Sequence, residues 1–158
     1  MIRYSWIALA VIAADQAVKQ LARGLNGPVT LLPGLLGLTY TENTGMAFSL
    51  FSGRPWLLGV LSLVLVIGGC VLVRRYALSR LSRCAVMLML GGAVGNMIDR
   101  FWHGYVVDMF EVLAFRFAVF NVADAALTIG CIITAYTLLF RKDDWREKKH
   151  GRTEGNDL

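Results

Sequence analysis

Charge is scarce in this chain, and so are the residues that staple a fold or hold a metal. Asp, Glu, Lys and Arg make up 17% of its 158 residues, against roughly 25% in an ordinary soluble domain. With 56% apolar residues and a mean hydropathy of +0.57, that shortage excludes disorder, a fibrous repeat and an ordinary water-soluble enzyme. The three cysteines, Cys70, Cys84 and Cys131, sit in apolar surroundings with no CxxC or Cys/His cluster. A disulfide scaffold and a structural zinc site are therefore not expected. The two histidines, His103 and His150, form no HExxH motif, and no metal or cofactor is expected. There is no internal repeat, and the length suits one domain.

What the chain has in abundance is long apolar runs. Tyr4 to Ala22 carries only two charges, Asp15 and Lys19. Trp56 to Val73 carries no charge, Cys84 to Trp102 is charge-free up to Asp99 and Arg100, and Phe117 to Phe140 holds only Asp124. A bilayer-spanning helix needs about 20 mostly apolar residues, and backbone in hydrocarbon must be helical. The expected fold class is thus an all-α membrane protein with four transmembrane helices at about 4–22, 56–73, 84–102 and 119–140. Asp15 and Lys19 argue against reading the first run as a cleaved signal peptide. The single domain would cover 1–142, with a charged, frayed tail over 143–158. Residues 24–54 contain short β-prone runs, Val29–Leu32 and Leu35–Thr41, punctuated by Gly and Pro; a small sheet on the outer membrane surface is expected there.

The net charge of +5 is unevenly placed. The segment before the first run, the 74–83 loop (Arg74, Arg75, Arg80, Arg83) and the tail together hold 11 basic and 5 acidic residues, and the remainder 5 basic and 6 acidic. The positive-inside rule then places both termini and that loop in the cytoplasm. The basic balance is a topology signal, and nucleic acid is not needed to explain it.

An ionisable group inside a span marks a functional site by default, because burying it costs about 2.5–3.5 kcal/mol on insertion scales. At about 1.5 Å per residue from the cytoplasmic ends, Asp15, Asn96 and Asp124 all fall in the outer half of the bilayer. One outer polar pocket is the simplest explanation. The spacing in GNMIDR sets Asn96, Asp99 and Arg100 on one helical face, and FNVAD does the same for Asn121 and Asp124. Asp15 and Lys19 form an i,i+4 pair suited to joining helices. Asp99 and Arg100 are expected to form an ion pair that positions the site, although Arg100 is also a candidate for substrate contact.

Asp108 and Asp124 remain without an evident basic partner. Two converging carboxylates share a proton and supply both a base for water and an acid for the reacting carbonyl or leaving amine. Spacing alone leaves open the alternative of an unrelated loop acid and a helix-packing acid. No serine stands beside Lys19 in sequence to form a Ser/Lys dyad. A proton-relaying four-helix transporter is the rival class. Ile67-Gly68-Gly69-Cys70 resembles a lipobox, but it sits midway along a span and is read as coincidence.

Five motifs in order, Asp15-Gln-Ala-Val-Lys19, Thr41-Glu-Asn-Thr-Gly-Met-Ala-Phe-Ser49, Gly91-Gly-Ala-Val-Gly-Asn-Met-Ile-Asp-Arg100, Val106-Val-Asp-Met-Phe110 and Phe120-Asn-Val-Ala-Asp124, resemble those of the lipoprotein signal peptidases (signal peptidase II). The resemblance implies an aspartic endopeptidase of the bacterial inner membrane. Such enzymes remove the signal peptide of a prolipoprotein before a cysteine that bears diacylglycerol. It implies Asp108 and Asp124 as the catalytic pair. Asn43, Gly45, Asn96, Arg100 and Asn121 would line the pocket for substrate and for the cyclic peptide inhibitor globomycin, with Asp15, Lys19 and Asp99 in support. It further implies a β-cradle over 24–54, a short mobile periplasmic helix over 109–118, contact with membrane lipid, and an active site near the periplasmic face.

Overall fold

The computed structural model describes residues 2–45 and 53–147. Four long helices run α1 Ile2–Arg23, α2 Pro55–Arg75, α3 Arg80–Trp102 and α4 Val122–Phe140. Between them lie the strands β1 Val29–Leu32, β2 Leu36–Asn43, β3 Tyr76–Leu78, β4 Val106–Val112 and β5 Trp145–Glu147. The fold is therefore helical with two small antiparallel sheets, β1-β2-β4 and β3-β5.

Among the described residues three helices, α2, α3 and α4, are long and apolar enough to cross a membrane. The 22 residues of α1 match them in length, but Asp15 and Lys19 interrupt its apolar run and are themselves buried. Large apolar side chains on α2 and α4, such as Leu65, Ile67, Ile132 and Leu139, are exposed. This pattern is inverted relative to a water-soluble bundle and fits a surface solvated by lipid.

The helix α3 is the centre of the bundle and packs against α1, α2 and α4. Its small residues make this possible, since membrane helices associate by close approach of backbones. A Cβ on Gly92 would collide with the Ala123 carbonyl of α4, and one on Gly95 would sit 2.7 Å from Asp15 Oδ2 of α1. The reciprocal notch is Gly130 of α4, where a Cβ would stand 2.6 Å from Met89 Cγ.

The outer sheet draws on two separate loops. β1 and β2 form a hairpin whose turn carries Gly34 at φ 70, a conformation suited to glycine. The third strand, β4, takes in residues 109–112, the first part of the expected 109–118 periplasmic helix. That expectation is corrected: β4 extends to Val112, and among the described residues no helix lies between Trp102 and Val122. The segment Val106-Val-Asp-Met-Phe-Glu-Val is rich in β-branched residues, its first four are buried, and a ladder with β2 satisfies its backbone. Phe110 then bridges to Phe120, with ring centroids 5.6 Å apart, closing the 110–120 loop over itself.

The opposite end is closed by the tail, which is not wholly frayed. Trp145–Glu147 pairs with Tyr76–Leu78. Trp145 Nε1 donates to Thr137 Oγ1 at 3.0 Å and Ser79 Oγ donates to Asp144 Oδ2 at 2.9 Å. Trp145 also packs on the core of Val73, Leu78, Val86 and Met87. The remainder of the tail lies outside the described residues.

Candidate active site

Strand pairing sets the first half of the site. Asp108 lies opposite Thr41 and Val106 opposite Asn43, so these four side chains share one face of the sheet. The alternate residues Val107 and Met109 are fully buried against Ala22 of α1, which leaves Asp108 aimed the other way. Asn43 Nδ2 donates to Asp108 Oδ2 at 2.8 Å, while Asn43 Oδ1 accepts the Gly45 N–H at 2.9 Å.

The second half is the start of α4. Asn121 is its N-cap: Asn121 Oδ1 accepts the Asp124 N–H at 2.8 Å, and Asp124 Oδ2 accepts the Asn121 N–H at 3.3 Å. This reciprocal capping box satisfies two otherwise orphaned N–H groups. It also fixes Asp124 on the first turn of α4. The free end of the Asn121 amide donates to Asp108 Oδ1 at 2.7 Å and to Asn96 Oδ1 at 3.2 Å. Asn96 Nδ2 donates to Asp124 Oδ1 at 2.7 Å. One fully buried asparagine thus ties the strand that carries Asp108 to the helix that carries Asp124.

Behind these groups lies a charged support. Lys19 Nζ reaches Asp15 Oδ2 at 2.7 Å, Asp99 Oδ2 at 3.0 Å and Asn96 Oδ1 at 3.0 Å. Its three donors find three acceptors, which is what a buried ammonium requires. Asp15 Oδ1 also accepts the Ala123 N–H of α4 at 2.9 Å, and Asp99 Oδ2 accepts the Val107 N–H at 3.2 Å. The two acids thereby pin the elements bearing Asp124 and Asp108.

The pair expected between Asp99 and Arg100 is corrected. Asp99 is neutralised by Lys19 from another helix, while Arg100 Nη2 donates to the Gly45 carbonyl at 3.2 Å. Adjacent residues on a helix point about 100° apart, so the two charges diverge. Sequence reasoning also missed Gln16, whose Nε2 lies 3.2 Å from Asp15 Oδ2, Gly95 O and Asp99 Oδ1 alike. Its place between Asp15 and Lys19 in the first motif was the available signal.

A cavity of about 1090 Å³ opens beside these groups, lined by Asn43, Gly45, Asn96, Arg100, Asp108 and Asp124 at its polar end. Leu58, Leu61 and Leu65 of α2 and Leu127 and Ile129 of α4 extend it as an apolar groove. Asn121 stands behind the wall and is wholly buried. Arg100 Nε is buried with no partner among the described residues. Burial, with the nearby Asp124 charge, pushes the Asp108 carboxyl up to about 6 against the lowering effect of the Asn43 and Asn121 hydrogen bonds and of Lys19. A carboxyl with that affinity holds or releases a proton close to neutral pH.

Two acids with amide donors thus gather at one end of a cavity in an apolar helical bundle. The profile of the family Peptidase_A8, signal peptidase (SPase) II, matches residues 7–140, and the chain belongs to that family. It is 36% identical over 146 residues to a lipoprotein signal peptidase of Latilactobacillus sakei subsp. sakei (strain 23K), covering 90% of this chain and 97% of that protein. A lipoprotein signal peptidase of Streptococcus thermophilus (strain CNRZ 1066) is 38% identical over 145 residues, covering 89% and 90%. Among solved structures, a bacterial membrane enzyme determined by the in meso method at 2.3 Å resolution superposes with a TM-score of 0.85 at 29% identity, covering 95% of this chain and 96% of that one.

Proposed function

We propose that this protein is an aspartic endopeptidase of the bacterial inner membrane. It removes signal peptides from prolipoproteins, cutting immediately before a cysteine that carries diacylglycerol. The observation that carries the reading is the shared cavity: Asp108 and Asp124 border the polar end of a groove whose other walls are leucines of α2 and α4. A lipidated substrate then approaches sideways from the bilayer, its acyl chains staying among lipid tails while the peptide meets the carboxylates.

In this reading Asp108 and Asp124 share one proton and hold a water between them. The ionised member takes a proton as the water oxygen attacks the scissile carbonyl carbon, and the protonated member donates to the carbonyl oxygen. Collapse of the tetrahedral intermediate breaks the C–N bond, and the leaving amine of the lipidated cysteine takes up the transferred proton. Asn43, Asn96 and Asn121 hold the carboxylates in place. Arg100, with Nε unpartnered among the described residues, and Gly45 meet the peptide. Globomycin would occupy the same cavity. All four helices span the membrane as one domain, with both termini cytoplasmic and the sheet and site at the periplasmic face. A proton-relaying transporter would need a polar path to both faces, whereas the far end of the bundle is filled by Val73, Leu78, Val86 and Met87.

The test is cleavage of a synthetic precursor in detergent, with and without diacylglycerol on its cysteine. Cleavage confined to the lipidated form, before the cysteine and stopped by globomycin, is expected. Equal cleavage of both forms, or of neither, refutes the reading.

A further inference from the structure

β2 is paired on its two sides over different lengths. β4 meets it from Leu36 to Asn43, while β1 reaches only from Leu36 to Leu38. Among the described residues no strand pairs with Thr41, Glu42 and Asn43 on the side away from β4. All three border the cavity that holds Asp108 and Asp124.

Side-chain alternation turns this into a main-chain feature. Glu42 pairs with Val107, whose side chain is buried on the α1 face. Its carboxylate accepts the Tyr40 hydroxyl at 2.7 Å, and the Tyr40 and Tyr105 hydroxyls lie 3.4 Å apart. Glu42 borders the cavity with its side chain already engaged, on a stretch of β2 that only β4 pairs among the described residues. An unpaired edge of this kind is a template for another extended chain.

We infer that this edge binds the main chain of the substrate residues that follow the lipidated cysteine, as an added antiparallel strand. The inference rests on the peptidase reading above and deepens it by naming how the peptide is held. Asn43 touches Asp108 at 2.8 Å, so the bond to be cut lies at the Asn43 end of the edge. The chain before the cut is the apolar signal peptide and belongs with the groove between α2 and α4. The chain after the cut leaves from Asn43 toward Thr41, opposite to the direction of β2. At about 3.4 Å per residue, that edge holds roughly two residues beyond the cysteine. Recognition through backbone leaves the side chains of the mature segment free to vary, which suits an enzyme acting on many precursors.

The experiment is an amide-to-ester scan of a synthetic lipidated precursor, replacing one peptide bond at a time from three residues before the cysteine to four after it, the scissile bond excepted. An ester removes the N–H donor and leaves the side chains intact. Because an antiparallel edge uses alternate residues, kcat/KM should fall about tenfold at one of the first two positions after the cysteine and stay within twofold at the other, one neutral hydrogen bond being the difference. A flat profile after the cysteine, or losses confined to positions before it, overturns the proposal while leaving the peptidase reading intact. Failure of the all-amide precursor to be cleaved overturns both.

Discussion

Lys19 Nζ lies 3.0 Å from Asn96 Oδ1, and this contact, joined by the Asn121 Nδ2 donor to the same oxygen, dictates how the amide faces the site. An ammonium group only donates, so the amide oxygen must turn to Lys19 and its NH₂ must turn away, to Asp124 Oδ1 at 2.7 Å. Asn121 is fixed by the same logic, because its oxygen faces the Asp124 N–H and its NH₂ faces Asp108. A charge on α1 thus decides, through one side chain on α3, which face Asn96 presents to an acid on α4.

Replacing either acid by its amide keeps size and shape while removing the proton-transfer group. Asp108→Asn and Asp124→Asn are each expected to lower kcat by a thousandfold or more, with the helical circular dichroism in detergent close to the parent. Near-normal cleavage by either variant would remove that residue from the assigned pair.

Lys19→Met should act on the fold before it acts on chemistry. It strands Asp15 and Asp99 as buried, uncompensated charges, a change that costs about 3–5 kcal/mol when one partner of a buried pair is removed. A large drop in thermal stability is expected. Lys19→Met combined with Asp15→Asn and Asp99→Asn, which removes all three charges, should recover part of it. A single variant melting within a degree or two of the parent would contradict this.

Two glycine substitutions should have opposite outcomes. Gly92→Ala drives a methyl into the Ala123 carbonyl, two residues from Asn121 and next to Asp124, and overpacking of this kind costs about 1–3 kcal/mol. Gly68→Ala in α2 meets nothing within 4 Å and should be neutral or stabilising by up to about 1 kcal/mol. Melting temperatures of the two variants check the contrast.

The raised Asp108 carboxyl sets the direction of the pH response. With its value at about 6 when folded against 3.8 for a free aspartate, the folded state holds this proton more tightly than the unfolded chain. This group's contribution to stability therefore improves as pH falls from about 6 toward 4, and its penalty is fully present above 6. For activity, the pair works with one proton, so kcat/KM should decline as pH rises through the upper apparent value near 6. Carboxyl carbon resonances of Asp108 should titrate near 6, move down in Asp124→Asn, which removes a neighbouring charge, and move up in Asn43→Ala, which removes a donor to the carboxylate. A midpoint near 4 in the parent would sink the assignment.

Reading residues in order is enough to find where apolar chain runs long enough to span a bilayer, which residues break those runs, and which polar side chains share a helical face. Those are local properties: run length for the helices, and three-residue spacing for Asn96 with Asp99 and Asn121 with Asp124. It took the packed fold to bring Asp99 as well as Asp15 to Lys19, to add Gln16 to the same cluster, and to make Val106–Val112 a strand. A partner chosen across 80 residues leaves no trace in local spacing, and a short β-branched run becomes a strand only when another, here Leu36–Asn43, is brought beside it. The same reason separates Asp108 from Asp124 as letters and joins them as a site. Neither carries a pattern that names the other, and it is the buried Asn121, bonded to both segments at once, that holds them at one cavity.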